Sequence, residues 1–185
     1  MQTTQKPIER LQALLPDVFE PQTQTGELYL KFHLGLSLTV VIPLVQVVET
    51  LRISAHQVSP IPNMPASVLG LMSHQGKILW ALDLPKLLEV PQKDVRSRQY
   101  DIIVVEVMLD DGQESDCQFL GLYVPQIQGT LRMNPEELIP SFEEIMPGLA
   151  PYLQGQFQKQ DEKLFLLDVD AVCSAESLYV YASSS

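Results

Sequence analysis

From Leu28 the chain alternates between apolar and polar sides. Leu28, Leu30, Phe32 and Leu34 fall on one side and Tyr29, Lys31 and His33 on the other; beyond Gly35 the alternation resumes at Leu36, Leu38, Val40 and Ile42. A period of two belongs to a half-buried strand, so the stretch reads as a strand or hairpin bent near Gly35. The run DIIVVEVMLDDGQ, over 101–113, carries Asp-Gly near its end and is followed by the apolar CQFLGLYV, which predicts a second hairpin. Helical spacing is confined to short stretches, around Ile8 to Leu15 and after Asp83, and fourteen prolines break most other candidates. The fold class expected is mainly β with short helices.

The chain is also written twice. LWALDLPKL (79–87) lies over LFLLDVDAV (164–172) at an offset of 85, and at that same offset Gly70 falls on Gly155. VVIPLVQV (40–47) resembles LYVPQIQG (122–129) at an offset of 82. Matched spacing of this kind is hard to obtain from composition alone. Each half then reads as strand, hairpin, Pro-interrupted strand, loop, glycine, strand and a short helical turn. Two small β-barrels packed together satisfy the pattern, because closing a short sheet on itself removes exposed edges.

The repeat bears on Asp83, a carboxylate inside the apolar run NMPASVLGLMSHQGKILWALDL (63–84). If Asp83 and Asp168 hold equivalent places in two barrels, they do not face one another as an acid and base pair. Each sits where a strand turns into a short helix, and an Asp there accepts backbone N–H groups of the turn. Pro85 in the first helical turn fits, since its missing N–H would be unpaired in any case.

Composition narrows the function. An apolar fraction of 45% in 185 residues allows a packed core. No run reaches the ~18 apolar residues of a membrane span, and the N-terminus lacks the pattern of a signal peptide, so a soluble cytoplasmic protein is expected. The net charge of −11 argues against nucleic acid as a partner, since a polyanion calls for Lys and Arg. That charge is uneven: residues 26–90 carry four acids and four bases, whereas residues 91–185 carry 16 acids and 6 bases. Either a solvated acidic face or two faces meeting different partners accounts for it.

Candidate chemistry is sparse. Cys117 and Cys173 are far apart and form no CxxC, and His33, His56 and His74 belong to no metal-binding spacing, so no metal or cofactor is expected. No GxSxG or glycine-rich phosphate loop occurs, and the reading is that the protein is not an enzyme. Two rivals stay open. One is a metal-dependent hydrolase using His33, His56 or His74 with Glu49 or Asp83, and the other a small-molecule sensor at a barrel mouth. Trp80 alternates with Ile78 and Leu82, placing it at the core, at a barrel seam or as an exposed anchor for a partner. The amphipathic segment Ile8, Leu11, Leu14, Leu15 and Phe19, broken by Pro16, could pack on the barrels, dock a partner or fray.

Taken in order, LYLKFHLG, LTVVIPLVQVVET, IPNMPASVLGLMSHQGKILWALDLPKLL, GLYVPQIQGTLRMNPEELIPS and YLQGQFQKQDEKLFLLDVDAV resemble the CheW family. These are adaptor proteins that join chemoreceptors to a histidine kinase in bacterial chemotaxis arrays, and the match runs from about Gly26 to Glu176. The resemblance implies two intertwined five-stranded SH3-like β-barrels over 26–180, with approximate barrel-forming halves 26–90 and 91–180. Residues 1–25 would be an N-terminal extension and 181–185 a tail. It also implies a scaffold without catalysis or cofactor. Its partners would be the regulatory domain of a CheA-type histidine kinase, on the barrel surfaces, and the tip of a methyl-accepting chemoreceptor, in the groove between barrels.

Family positions for receptor binding match Val47, Glu49, Gly70, Gln75 and Gly76. Val47 would add apolar contact, and the two glycines would let backbones approach or turn. Two departures stand out. The family usually has Arg-Gly where this chain has Gln75-Gly76, and that Arg pairs with the acid matched by Glu49; Gln supplies only a neutral hydrogen bond. Pro125 stands where the family commonly has Asp, which suits an edge position. The NMP and ILWALDL stretches, with the N-terminal extension, look more like adaptors of pilus-based twitching or phototaxis clusters than of flagellar ones.

Overall fold

The alternating runs become strands. The computed structural model describes residues 26–35, 38–92, 98–110, 115–141, 145–146 and 148–174, with backbone alone at 108–110 and 115–118. The extension 1–25 with its amphipathic segment, the tail 181–185 and the Cys117 side chain lie outside the described residues. In chain order the strands are β1 (Glu27–His33), β2 (Thr39–Pro43), β3 (Val47–Ser54), β4 (Val58–Ser59), β5 (Val68–His74) and β6 (Lys77–Asp83). They continue with β7 (Gln99–Asp110), β8 (Ser115–Val124), β9 (Gln126–Met133), β10 (Leu153–Lys159) and β11 (Glu162–Leu167). Two short helices, α1 (Leu84–Leu87) and α2 (Val169–Cys173), follow β6 and β11. No described helix is long and apolar enough to cross a membrane.

The strands form two sheets, β10-β11-β2-β1-β9 and β3-β7-β8-β6-β5-β4. In the second, the outermost strands are consecutive in the chain, joined by a 3-10 turn at Ala55–Gln57. In the first, β9 runs through a 3-10 turn at Pro135–Glu137 to Ile139, which bridges Gln156 of β10. Each sheet is thus an SH3-like unit whose two ends are one continuous stretch of chain. The expected five strands hold for the first; the second has a sixth, the two-residue β4.

The sheets do not follow the sequence halves. Parallel pairing of β6 with β8 (Trp80↔Leu120) and of β11 with β2 (Phe165↔Val40) draws strands of both halves into each barrel. Residues 26–90 and 91–180 delimit the repeat, therefore, and not the sheets. Register also corrects part of the repeat. The offset of 85 holds throughout β5, β6, β10 and β11, including a bulge between Val68 and Gly70 matched by one between Leu153 and Gly155. The offset of 82 does not hold, since Val40 occupies the place of Leu120, an offset of 80. Pro43 ends β2 whereas Pro125 falls between β8 and β9. Strand ends tolerate proline, so the two were alike in composition without being alike in register.

Alternation along the strands fills three apolar layers. Tyr29, Val41, Met133, Phe157, Leu164 and Leu166 occupy the first barrel, and Val58, Met72, Leu79, Ala81, Ile102 and Val104 the second. Between the barrels lies the largest layer, including Phe32, Ile42, Leu82, Ile103, Val105 and Leu122, with residues of α1 and α2 closing it. In β7 successive residues go alternately to barrel and interlayer, so the unbroken run Ile102 to Val105 is buried on both faces. Each such side chain contributes about 1.5–3 kcal/mol of burial, which makes the interlayer the main cement between the barrels.

Candidate functional site

The two aspartates prove to be structural twins. Asp83 accepts the Lys86 backbone N–H at 3.1 Å and Asp168 accepts that of Ala171 at 2.9 Å, each capping its short helix. Their own N–H groups donate to Ser67 and Tyr152, again 85 residues apart. Asp83 is buried and also meets Lys86 Nζ at 2.9 Å, so its charge is spent inside the turn. Trp80 is half-buried at the edge of the interlayer, a seam position.

Of the five candidate site residues, the structure gathers Val47, Glu49, Gln75 and Gly76 near one end of the second barrel. Val47 packs against the interlayer at the start of β3, and Glu49 lies just past a bulge that leaves Val48 unpaired. Gln75 (φ 49°) and Gly76 (φ 78°) form the two-residue turn joining β5 to β6. Positive φ at both positions is what a type I′ hairpin turn requires. The turn brings Gln75 Nε2 to 3.3 Å from Glu49 Oε2, so the pairing implied by the family is present with a neutral donor. Gly70 is buried near the other end of β5, where a Cβ would lie 2.0 Å from Ser59 O; it serves the β4–β5 approach and not the rim.

His74, weighed from sequence only as a metal ligand and not as a partner-site residue, reaches the same carboxylate. Its Nε2 is 2.9 Å from Glu49 Oε1, an ion-pair distance without the alignment of a hydrogen bond, and this buried atom has no other partner. By strand alternation His74, Glu49 and Lys77 point to the interior side of the rim, each two residues beyond an interior side chain, Met72, Leu51 and Leu79. Lys77 Nζ stands 3.7 Å over the Phe119 ring. Flanking them, Val48 is 50% exposed and Ile78 74% exposed. The matching positions on the first barrel are Gln128 and Lys163, both polar. Comparing the two repeats at the correct register would have exposed this asymmetry.

The first rim is wired differently. Lys31 Nζ meets Glu162 Oε2 at 2.6 Å, and the Lys31 ammonium, as the largest influence, holds the Glu162 carboxyl below its usual range. His33 lies 2.6 Å from Gln128 Nε2 and 3.4 Å from Thr39 Oγ1. His56 is exposed in the turn before β4. The three histidines are thus on different elements, and no group of three His, Cys, Asp or Glu side chains able to hold a metal occurs among the described residues. Burial pushes the Cys173 thiol up to about 12, with Asp170 and Asp168 adding to the shift, so it is a packed side chain and not a nucleophile.

Fold and rim together define a class: two interleaved SH3-like barrels cemented by a thick apolar layer, with one rim polar and the other offering apolar side chains around a carboxylate. The chain belongs to the CheW-like domain family, whose model matches residues 28–177. Among solved structures it is similar to the scaffolding protein TtCheW from Thermoanaerobacter tengcongensis, at 18% sequence identity and a TM-score of 0.67, covering 83% of this chain and 96% of that one. No curated protein matches the sequence.

Proposed function

We propose that this chain is a non-catalytic cytoplasmic adaptor that couples a chemoreceptor to a CheA-type histidine kinase, in chemotaxis or pilus-based motility signalling. Membership of the CheW-like domain family over 28–177 carries this reading. The second rim supports it: exposed Val48 and Ile78 beside the Glu49 carboxylate suit a protein partner better than a small substrate. In this reading Val47 and Glu49 meet the receptor tip, Gln75 orients the carboxylate, Gly76 makes the turn, and Gly70 holds the strand beneath. The regulatory domain of the kinase docks on the barrel surfaces.

Calorimetry with the kinase regulatory domain, and separately with a coiled-coil fragment of the receptor tip, tests it. Binding in the micromolar range is expected, because such contacts are weak singly and gain strength in an array. No heat of binding to either cognate partner at tens of micromolar rejects the proposal.

A further inference from the structure

The two rims can be compared position by position. Gly129 faces Lys31 beside the β1–β9 bulge and Glu49 faces Val104 beside the β3–β7 bulge, so Gly129 matches Glu49 and β1 matches β7. Around the second rim, β3 contributes Glu49, β7 Glu106, β8 Phe119, β6 Lys77 and β5 His74. The counterparts on the first rim are Gly129, His33, Thr39, Glu162 and Lys159. Both rims thus carry an imidazole and a carboxylate, but among the described residues the second brings them to ion-pair distance, His74 Nε2 lying 2.9 Å from Glu49 Oε1 between exposed Val48 and Ile78, whereas His33 contacts Gln128 and Thr39 and is the least of the influences on Glu162, behind Lys31.

We propose that His74 is a positioning residue that sets the charge this rim presents, and that the rim fits an apolar protein face bearing a basic side chain. This rests on reading the rim as a partner surface. His74 and Gln75, consecutive at a tight turn, take the two oxygens of Glu49, at 2.9 Å and 3.3 Å, and so fix the direction of the carboxylate. With His74 neutral, Glu49 offers a full negative charge to an incoming Lys or Arg. With His74 protonated, the pair cancels and the incoming cation meets an imidazolium at the same carboxylate. Among the described residues, the other charged side chains of the rim are Lys77, over Phe119, and Glu106. The same hairpin turn on the first barrel carries Lys159 and Gln160 opposite Gly129, so that turn holds no imidazole and faces no carboxylate.

The test is binding of the receptor-tip fragment by calorimetry between about pH 5.5 and 8, where imidazoles titrate, with wild type, His74→Gln and Glu49→Gln. Affinity of the wild type is expected to rise about three- to tenfold toward pH 8, as for a weak exposed ion pair, and the rise to vanish in His74→Gln. An unchanged pH slope in His74→Gln overturns the proposal. If the wild type binds at no pH, the adaptor reading fails, and the pair is judged by itself through a double-mutant cycle in urea. Coupling of about threefold or more in the unfolding constant at pH 5.5, shrinking at pH 8, supports His74; additivity at both overturns it.

Discussion

Replacing Gly70 with alanine would put a Cβ 2.0 Å from Ser59 O, 2.6 Å from Ser59 C and 2.8 Å from Pro60 Cα. All three are backbone atoms, so no rotamer change relieves the overlap, and β4 must move off β5. The φ of +138° adds strain, of about 1–3 kcal/mol for a residue with a side chain. Separation also forfeits the pairing of Val58 with Met72 and part of the burial of Val58, worth about 2 kcal/mol. A loss of about 4 kcal/mol follows, at the upper end of single-residue effects. Two other glycines calibrate it. At Gly155 the new Cβ would be 2.8 Å from Ile139 O and 2.9 Å from Leu138 side-chain atoms that can rotate, and φ is ordinary, so about 1–2 kcal/mol is expected. Gly76 has φ +78° with open space around it, which leaves about 1 kcal/mol of backbone strain. Urea unfolding followed by the fluorescence of Trp80, the single tryptophan, measures all three. Gly70→Ala within about 1 kcal/mol of wild type, or less harmful than Gly76→Ala, would refute the reasoning.

Further outcomes follow from the repeat and from the first rim. Asp83→Ala and Asp168→Ala should each lower stability by about 1–2 kcal/mol in the same unfolding assay, as for a lost helix cap; a gap of more than about 2 kcal/mol between them contradicts their equivalence. The Lys31 ammonium lowers the folded pKa of Glu162. Its contribution is therefore complete above the unfolded value of about 4.3 and is lost as pH falls through the lower folded value. Lys31→Met should flatten that acid limb in melting curves recorded from about pH 6 downward, and an acid limb identical to wild type would show that the pair does not stabilise the fold.

Much of this fold can be read directly from residues. The period of two gave β1 and β2, the Asp-Gly signal gave the β7–β8 hairpin, and the offset of 85 gave the matched glycines and the two aspartate caps, because those features are local and their geometry is set within a few residues; the two bulges emerged only from the pairing. What escaped depends on contacts distant in sequence. Parallel pairing of β6 with β8 and of β11 with β2 leaves no mark in either strand's pattern, so the interleaving was supplied by the family resemblance. The prolines misled the alignment of β2 with β8 by two residues, an even number that keeps every side chain on its proper face and so hides the slip. Glu49 and Gln75 were reached as a pair through the resemblance alone. His74 entered only as a candidate metal ligand, because a lone histidine at a strand end carries no sign of a partner-site role until the barrel curls β5 toward β3. Val48 and Ile78 were hidden for the opposite reason, since valine and isoleucine in strands read as core.

On the function proposed above, the second rim, and not its polar counterpart, meets the partner. Backbone amide shifts on titration with the receptor-tip fragment address it most directly. Changes are expected to concentrate at Val47 to Thr50 and His74 to Ile78, with Gln128 and Lys159 to Lys163 unmoved. Saturable changes centred on Gln128 and Lys159 to Lys163 instead would contradict it.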